Sequence, residues 1–243
     1  MNLTIDIGNS RNKFAVFNGY EIIEVFNFPD LNTETVQNII KKYPALKRAI
    51  LCSVRNLDVS FTSFLQSSFN FFLELTEHTI LPLKNLYKTP KTLGKDRLAA
   101  IVGANNIFPN TNVLVIDAGT AITYDFVNRQ NQYLGGNISP GLEMRFKALH
   151  DYTNRLPLLE KNNNYQLIAD NTKDAIISGI QNGLIFEIDS YINELKNKYD
   201  DLIVILTGGD AIFFDKKLKN TIFVNSNLNF IGLNRILEHN TKT

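Results

Sequence analysis

LTIDIGNSRNKFAV, residues 3–16, is an apolar run broken by one carboxylate, Asp6, turned by Gly8, Asn9 and Ser10, and resumed from Phe14. An acid inside a buried strand is unfavourable unless something compensates its charge. The arrangement returns at residues 114–127 as LVIDAGTAITYDFV. Leu3 aligns with Leu114, Ile5 with Ile116, Asp6 with Asp117, Gly8 with Gly119 and Val16 with Val127. For either copy alone, a β-hairpin with an Asp-anchored turn is the competing reading. Two copies with Asp and Gly in register point instead to a duplicated lobe. The turn residues of FPNTN at 108–112 put the boundary near 110–113, dividing the chain into lobes 1–111 and 112–243.

The surrounding pattern fits two α/β lobes. Strands are predicted at 2–8, 13–18, 21–28, 48–53 and 70–75, with a helix capped by Thr33 and another at 61–68. GKDRLAAIVGANNIF reads as a helix entered through Gly94. The second lobe has predicted strands at 112–117, 122–128, 132–135 and 202–209, and helices at 142–151, 172–198 and 231–238. Strands followed by helices, twice, predict a mixed sheet with flanking helices in each lobe and a cleft between them.

Bulk properties narrow the chemistry. The 25 basic and 24 acidic residues leave a formal net charge of +1, which argues against a strongly electropositive nucleic-acid binder. No apolar run is long enough to span a bilayer and no secretory leader is apparent, so neither membrane nor nucleic acid is an expected partner. The single cysteine, Cys52, forbids an intrachain disulfide and suggests the cytoplasm. His78, His150 and His239 are not spaced for zinc or for a Ser-His-Asp triad. Carboxylates, hydroxyls and backbone amides must carry the chemistry.

Those groups suit phosphate. Mg²⁺ prefers one or two carboxylates plus phosphate oxygens, which gives Asp6 a countercharge. The glycine after each acid lets backbone N–H groups approach an anion. Asn9, Ser10, Thr120 and Thr123 add donors, and Lys13 adds positive charge. TGGD at 207–210 ends a strand with two glycines, able to pass a base or ribose, though it also reads as a simple strand-to-helix turn. The P-loop pattern fails, because Thr89 stands where its first glycine should be and Asp96 follows Gly94-Lys95. No G-x-G-x-x-G occurs.

Paired Asp-x-Gly hairpins and a late Gly-Gly turn resemble the acetate and sugar kinase, Hsp70 and actin superfamily, with its ribonuclease H-like lobes. Within it the chain resembles type III pantothenate kinase along nearly its whole length. The resemblance rests on DIGNS at 6–10, KNLYKTPKTLGKDRLAA at 84–100, DAGTAITYD at 117–125, GGNISPG at 135–141, NTKDAIISG at 171–179 and TGGD. It implies ATP-dependent phosphorylation of pantothenate, the first step toward coenzyme A, by a homodimer. It makes Asp96 the general base. Tyr87, Gly94, Lys95, Asp96, Arg97 and Thr172 become substrate contacts, with Thr172 serving the neighbouring subunit's site and also suited to cap the long helix. The ATP contacts are Asp6, Ile7, Gly8, Asn9, Ser10, Arg11, Asn12, Lys13 and Thr120. Asp6 then works beside Mg²⁺ through water, and Asp117 beside K⁺ or NH₄⁺. From sequence alone Asp96 would be an ordinary acid complementing a helix N-terminus. Arg97 could be a surface residue or bind the substrate carboxylate or the transferring phosphate. Asn154 departs from the family pattern, where a small residue is expected. Gly179 and Gly183 weaken the long helix and call for close packing, within the chain or on a second copy. Two rival functions remain: a non-catalytic nucleotide-binding transcriptional accessory protein, and another small-molecule kinase or phosphatase of the superfamily.

Overall fold

The opening stretch folds as an antiparallel hairpin of β1 (Asn2–Ile7) and β2 (Asn12–Asn18) in a computed structural model that describes residues 1–9 and 11–241. Alternation puts Leu3, Ile5 and Ile7 on one face, and they form a core with Phe14, Val16, Val36, Leu51 and Leu65. Each such fully buried side chain contributes roughly 1.5–3 kcal/mol. Thr4 and Asp6 point to the other face. β3 (Glu21–Phe28) pairs with β2, and β4 (Arg48–Ser53) lies parallel to β1, with β5 (Phe71–Glu74) beyond it. The strand order is β3-β2-β1-β4-β5. Helix α1 (Thr33–Lys42) and helix α2 (Val59–Ser68) supply Val36, Ile39, Phe61 and Leu65 to the core. The cap of α1 is Asn32 rather than Thr33. Its Oδ1 accepts from the Thr35 amide and from the Thr35 hydroxyl, both at 2.8 Å, so Thr33 becomes the first helical residue.

The second copy is also a hairpin, β7 (Val113–Ala118) with β8 (Ala121–Val127). The strands β9 (Gln132–Pro140), β10 (Ile203–Thr207) and β11 (Phe223–Val224) extend it in the order β11-β10-β7-β8-β9. That order repeats the first sheet, with β7 standing for β1 and β10 for β4. In both sheets the central strand has an antiparallel hairpin partner on one side and a parallel strand on the other. Register corrects one detail of the sequence alignment. Val16 faces Leu3, whereas Leu114 faces Phe126, so Phe126 and not Val127 is the counterpart of Val16. The first turn holds one residue more than the second. The counterpart of Lys13, which faces Asp6, is therefore Thr123, which faces Asp117.

Helices α4 (Leu142–Asp151) and α5 (Thr172–Lys198) cover the second sheet, with Leu184, Ile188 and Ile192 fully buried and Tyr191 stacked on Tyr124 at 4.3 Å. The cap of α5 is Asn171, whose Oδ1 accepts from the Asp174 amide at 3.0 Å; Thr172 is not the cap but the first helical residue. A Cβ added at Gly179 or Gly183 would meet nothing within 4 Å, so packing within the chain does not require either glycine.

The remaining elements are β6 (Lys84–Asn85), α3 (Lys95–Ile107), α6 (Ala211–Asp215) and α7 (Leu228–Asn240). The two-residue β6 runs parallel to the start of β9. The chain forms two compact units, one of residues 1–109, 131–133 and 227–243, the other of 110–130 and 134–226. This corrects the expected boundaries, because the closing helix α7 belongs to the first unit and not the second. Three contacts hold it there. Phe230 packs with Ala15 and Phe17. A Cβ at Gly232 would fall 1.8 Å from the Ala99 carbonyl oxygen, so α7 and α3 meet backbone to backbone. The Asn2 amide donates to Asn234 at 2.8 Å and to Glu238 at 2.7 Å, and Arg48 donates to Asn2 and Glu238 in turn.

Candidate active site

In the first unit, Asp6 sits at the penultimate position of β1, opposite Lys13 on β2 and Cys52 on β4, so all three side chains share a face. The turn that follows is closed by Gly8 N–H donating to the Arg11 carbonyl at 3.0 Å. Ile7 is fully buried and offers the turn only its backbone, while Asn9 and Arg11 are exposed and Lys13 is half-buried. Asn12 is buried and committed to the fold: its amide donates to the Phe28 and Pro29 carbonyls at 3.2 and 3.0 Å, and its oxygen accepts from Arg55. It therefore shapes the turn and offers no spare side-chain group to a ligand. Ser10 lies outside the described residues.

Asp6 is held by Asn229, on the first turn of α7, whose Nδ2 donates to Asp6 Oδ2 at 3.4 Å. Burial pushes the Asp6 carboxyl up to about 6, and the charge of Asp96 adds to the rise, while the Asn229 hydrogen bond and Lys13 oppose it. Burial also drives the Cys52 thiol well above its ordinary value, with Asp6 and Asp96 reinforcing the shift and Lys95 opposing it. Asp96 and Asp6 are thus close enough to repel. Asp96 occupies the first turn of α3, entered through Gly94, and its Oδ1 accepts from the Arg97 amide at 2.9 Å. Lys95 stands 4.0 Å from Glu74. Arg97 is buried, and its guanidinium lies 5.6 Å from the centre of the Tyr87 ring, which stacks in turn on Tyr133. A buried guanidinium on an aromatic face is not an ordinary surface arginine. The structure thus gathers Asp6, Lys13, Tyr87, Lys95, Asp96 and Arg97 within one unit.

In the second unit, Asp117 faces Thr123 on β8 and Thr207 on β10. Gly208, at φ +96°, turns the chain after β10, and a Cβ there would come 2.4 Å from Asp117 Oδ1. The turn after β7 is closed by Gly119 N–H donating to Ala121 at 3.1 Å, and Gly141 donates to the Thr120 carbonyl at 3.1 Å. The Thr120 side chain is exposed. Thr123 Oγ1 is buried and has no hydrogen-bond partner among the described residues. Asp210 N–H donates to Ala118 at 2.8 Å, tying TGGD to β7 as a strand-to-helix turn. A cavity of about 500 Å³ opens beside it, lined by Leu142, Phe146, Leu158 and Leu159 and by the charged Glu143, Lys147, Glu160, Lys161 and Asp210. Lys161 and Asp210 form an ion pair. Thr172 is exposed at the start of α5.

The two acids stand in different surroundings. Asp6 has a built-in cation in Lys13 and, among the described residues, a neighbouring oxygen without a partner, Asn229 Oδ1. A hydrated Mg²⁺ needs no more protein than that, because water and phosphate complete its shell. Where the first unit has Lys13, the second has the hydroxyl of Thr123. Among the described residues no three His, Cys, Asp or Glu side chains gather to hold a metal by themselves.

Two sheets of one strand order, each with an acid-glycine hairpin, and a Gly-Gly turn after β10 define the actin-like class of phosphotransferase fold. Solved structures agree on the fold. A glucokinase from an Antarctic psychrotroph aligns over 98% of both chains with a TM-score of 0.55 at 13% identity. A Campylobacter jejuni protein assigned to the Baf family of transcriptional activators aligns over 99% of this chain and 100% of its own, with a TM-score of 0.64 at 23% identity. Within that class, the family model described as type III pantothenate kinase matches residues 2–194. A type III pantothenate kinase of Christiangramia forsetii is 48% identical over 242 residues, covering 99% of each chain. The chain belongs to the type III pantothenate kinase family.

Sequence reasoning missed Asn229. It lies 223 residues from Asp6, and nothing local marks it as a partner of that acid.

Proposed function

We propose that Asp96 is the general base of an enzyme that, like its family, uses ATP to phosphorylate pantothenate, the entry to coenzyme A biosynthesis. What supports this role is the place of Asp96 in the first turn of α3, beside a buried Arg97 whose guanidinium lies over the Tyr87 ring. Phosphoryl transfer needs alignment and charge neutralisation more than covalent help. Asp96 orients the primary hydroxyl and takes its proton as the oxygen bonds to the γ-phosphorus and ADP departs. Arg97 and Tyr87 bind the substrate's carboxylate end, with Gly94 and Lys95 shaping the entry.

The first turn, residues 6–13, cradles the phosphates through its backbone, with Lys13 adding charge. Thr120 contributes from the second turn. Mg²⁺, held through water by Asp6, neutralises the phosphates when bound. Asp117, with Thr123, holds K⁺ or NH₄⁺. The cavity by Asp210 suits a nucleobase, because Leu142, Phe146 and Leu158 give it apolar walls. The enzyme works as a cytoplasmic homodimer to which Thr172 contributes a substrate contact. Gly179 and Gly183, open on α5 beside the exposed Phe186, support that assembly.

The test is coupled ADP release by purified protein with Mg·ATP and pantothenate, in K⁺, NH₄⁺ or Na⁺. Pantothenate-dependent release, greater in K⁺ or NH₄⁺, is expected. ATP binding without any such release would overturn the reading.

A further inference from the structure

The start of α7 carries a group that the fold alone does not require. Asn229 Nδ2 reaches Asp6 Oδ2 at 3.4 Å, while Asn229 Oδ1 is buried with no hydrogen-bond partner among the described residues. Most buried asparagines have both ends of the amide satisfied, as Asn12 does, although Asn105 Oδ1 on α3 is likewise without a partner among the described residues. Asn229 leaves its acceptor end open beside a carboxylate. Asp6, when ionised, has no proton to give, so none of the described residues supplies the missing donor. The position of Asn229 is rigid. Leu228 and Phe230 on either side are buried, and three residues on Gly232 meets the Ala99 backbone of α3, the helix that carries Asp96. One segment thus fixes both the partner of Asp6 and the helix of Asp96.

We propose that Asn229 is a positioning residue for the phosphoryl-transfer site: its N–H orients the Asp6 carboxylate, and its open carbonyl accepts a hydrogen bond from the water shell of the divalent cation that accompanies the nucleotide. The inference rests on the reading that Asp6 faces Mg·ATP. Outer-shell partners of this kind typically govern about 10–100-fold in metal affinity or activity. A long hydrogen bond in the unliganded chain is expected to tighten when the ligand is present.

The experiment measures ADP affinity by calorimetry with Mg²⁺ and again with EDTA, in the full-length protein. The ratio of the two affinities isolates the contribution of the cation. Asn229→Ala is expected to reduce that ratio by about tenfold or more and to leave metal-free ADP binding within about twofold. Asn229→Leu, close in volume, is expected to do the same, and it keeps the test open should the alanine variant unfold. An unchanged ratio in either folded variant would overturn the proposal. If the wild type shows no Mg²⁺-dependent gain and Asp6→Asn alters nothing, the reading of Asp6 fails, and the proposal with it. A lost ratio in Asp6→Asn but not in the Asn229 variants refutes the proposal alone.

Discussion

Replacing Asp6 with Asn should make the unliganded protein more stable at neutral pH and less active. The carboxyl is raised from 3.8 to about 6, chiefly by burial. The native state therefore holds a proton between those values that the unfolded state has released. More protons on the native side mean that stability falls as pH rises through this window, and the loss is complete above the folded value. About two pH units at 1.36 kcal/mol each give a ceiling of about 3 kcal/mol. Asn keeps the shape and can still accept from Asn229, but it carries no charge to desolvate. Urea unfolding of both proteins, without nucleotide or divalent cation, gives the difference at about pH 4.5 and about pH 8. The variant's advantage should grow by about 1–3 kcal/mol between the two. Other titrating groups cancel in that difference unless they couple to Asp6, as Asp96 and Lys13 do. An advantage that stays constant, or that shrinks at high pH, refutes the reasoning. Shrinkage would mean that attraction to Lys13 outweighs desolvation. Mg·ATP should stabilise the wild type more than the variant.

Three further outcomes follow. Asp96→Asn should lower kcat by roughly 10²–10⁴-fold while leaving Mg·ADP affinity nearly intact, as read by steady-state kinetics and calorimetry. Thr123→Val removes a buried hydroxyl with no partner among the described residues, so unfolding should show unchanged or increased stability, while activation by K⁺ over Na⁺ falls toward unity. Gly179→Ala and Gly183→Ala should each stabilise an isolated helix by roughly 0.5–1 kcal/mol. If the glycines pack against a second copy, sedimentation will show dimer dissociation at higher protein concentration in both variants.

The hairpins were readable because period-two burial and an Asp-x-Gly turn are both local signals. The caps of α1 and α5 were each misread by one residue for a single reason. Both begin Asn-Thr, and either residue can cap, but the asparagine oxygen is the one that reaches the amide three residues on. The slip from Phe126 to Val127 came from aligning without gaps across turns of unequal length. The two-residue strands β6 and β11 were too short to carry any periodicity. The allegiance of α7 was invisible because long-range contacts decide it. Gly232 was the one clue, a glycine in an apolar helix where a neighbouring backbone passes. At the site, the acids were legible as charges inside apolar runs. Arg97 was named only through the family resemblance, because its burial over Tyr87 depends on tertiary packing.

The return of residues 227–243 to the first unit bears on how the chain is made. Synthesis runs from the N-terminus, and domains commonly fold as they emerge. Here the first sheet emerges early, yet the helix that covers its Asp6 face is translated only after the second unit. The second unit is contained in residues 110–226 and can close first, although it begins later. Until α7 leaves the ribosome, Ala15 and Phe17 lack the Phe230 that covers them, and Asp6 lacks Asn229. The partner of Asp6 is thus supplied by a helix made only after the whole second unit.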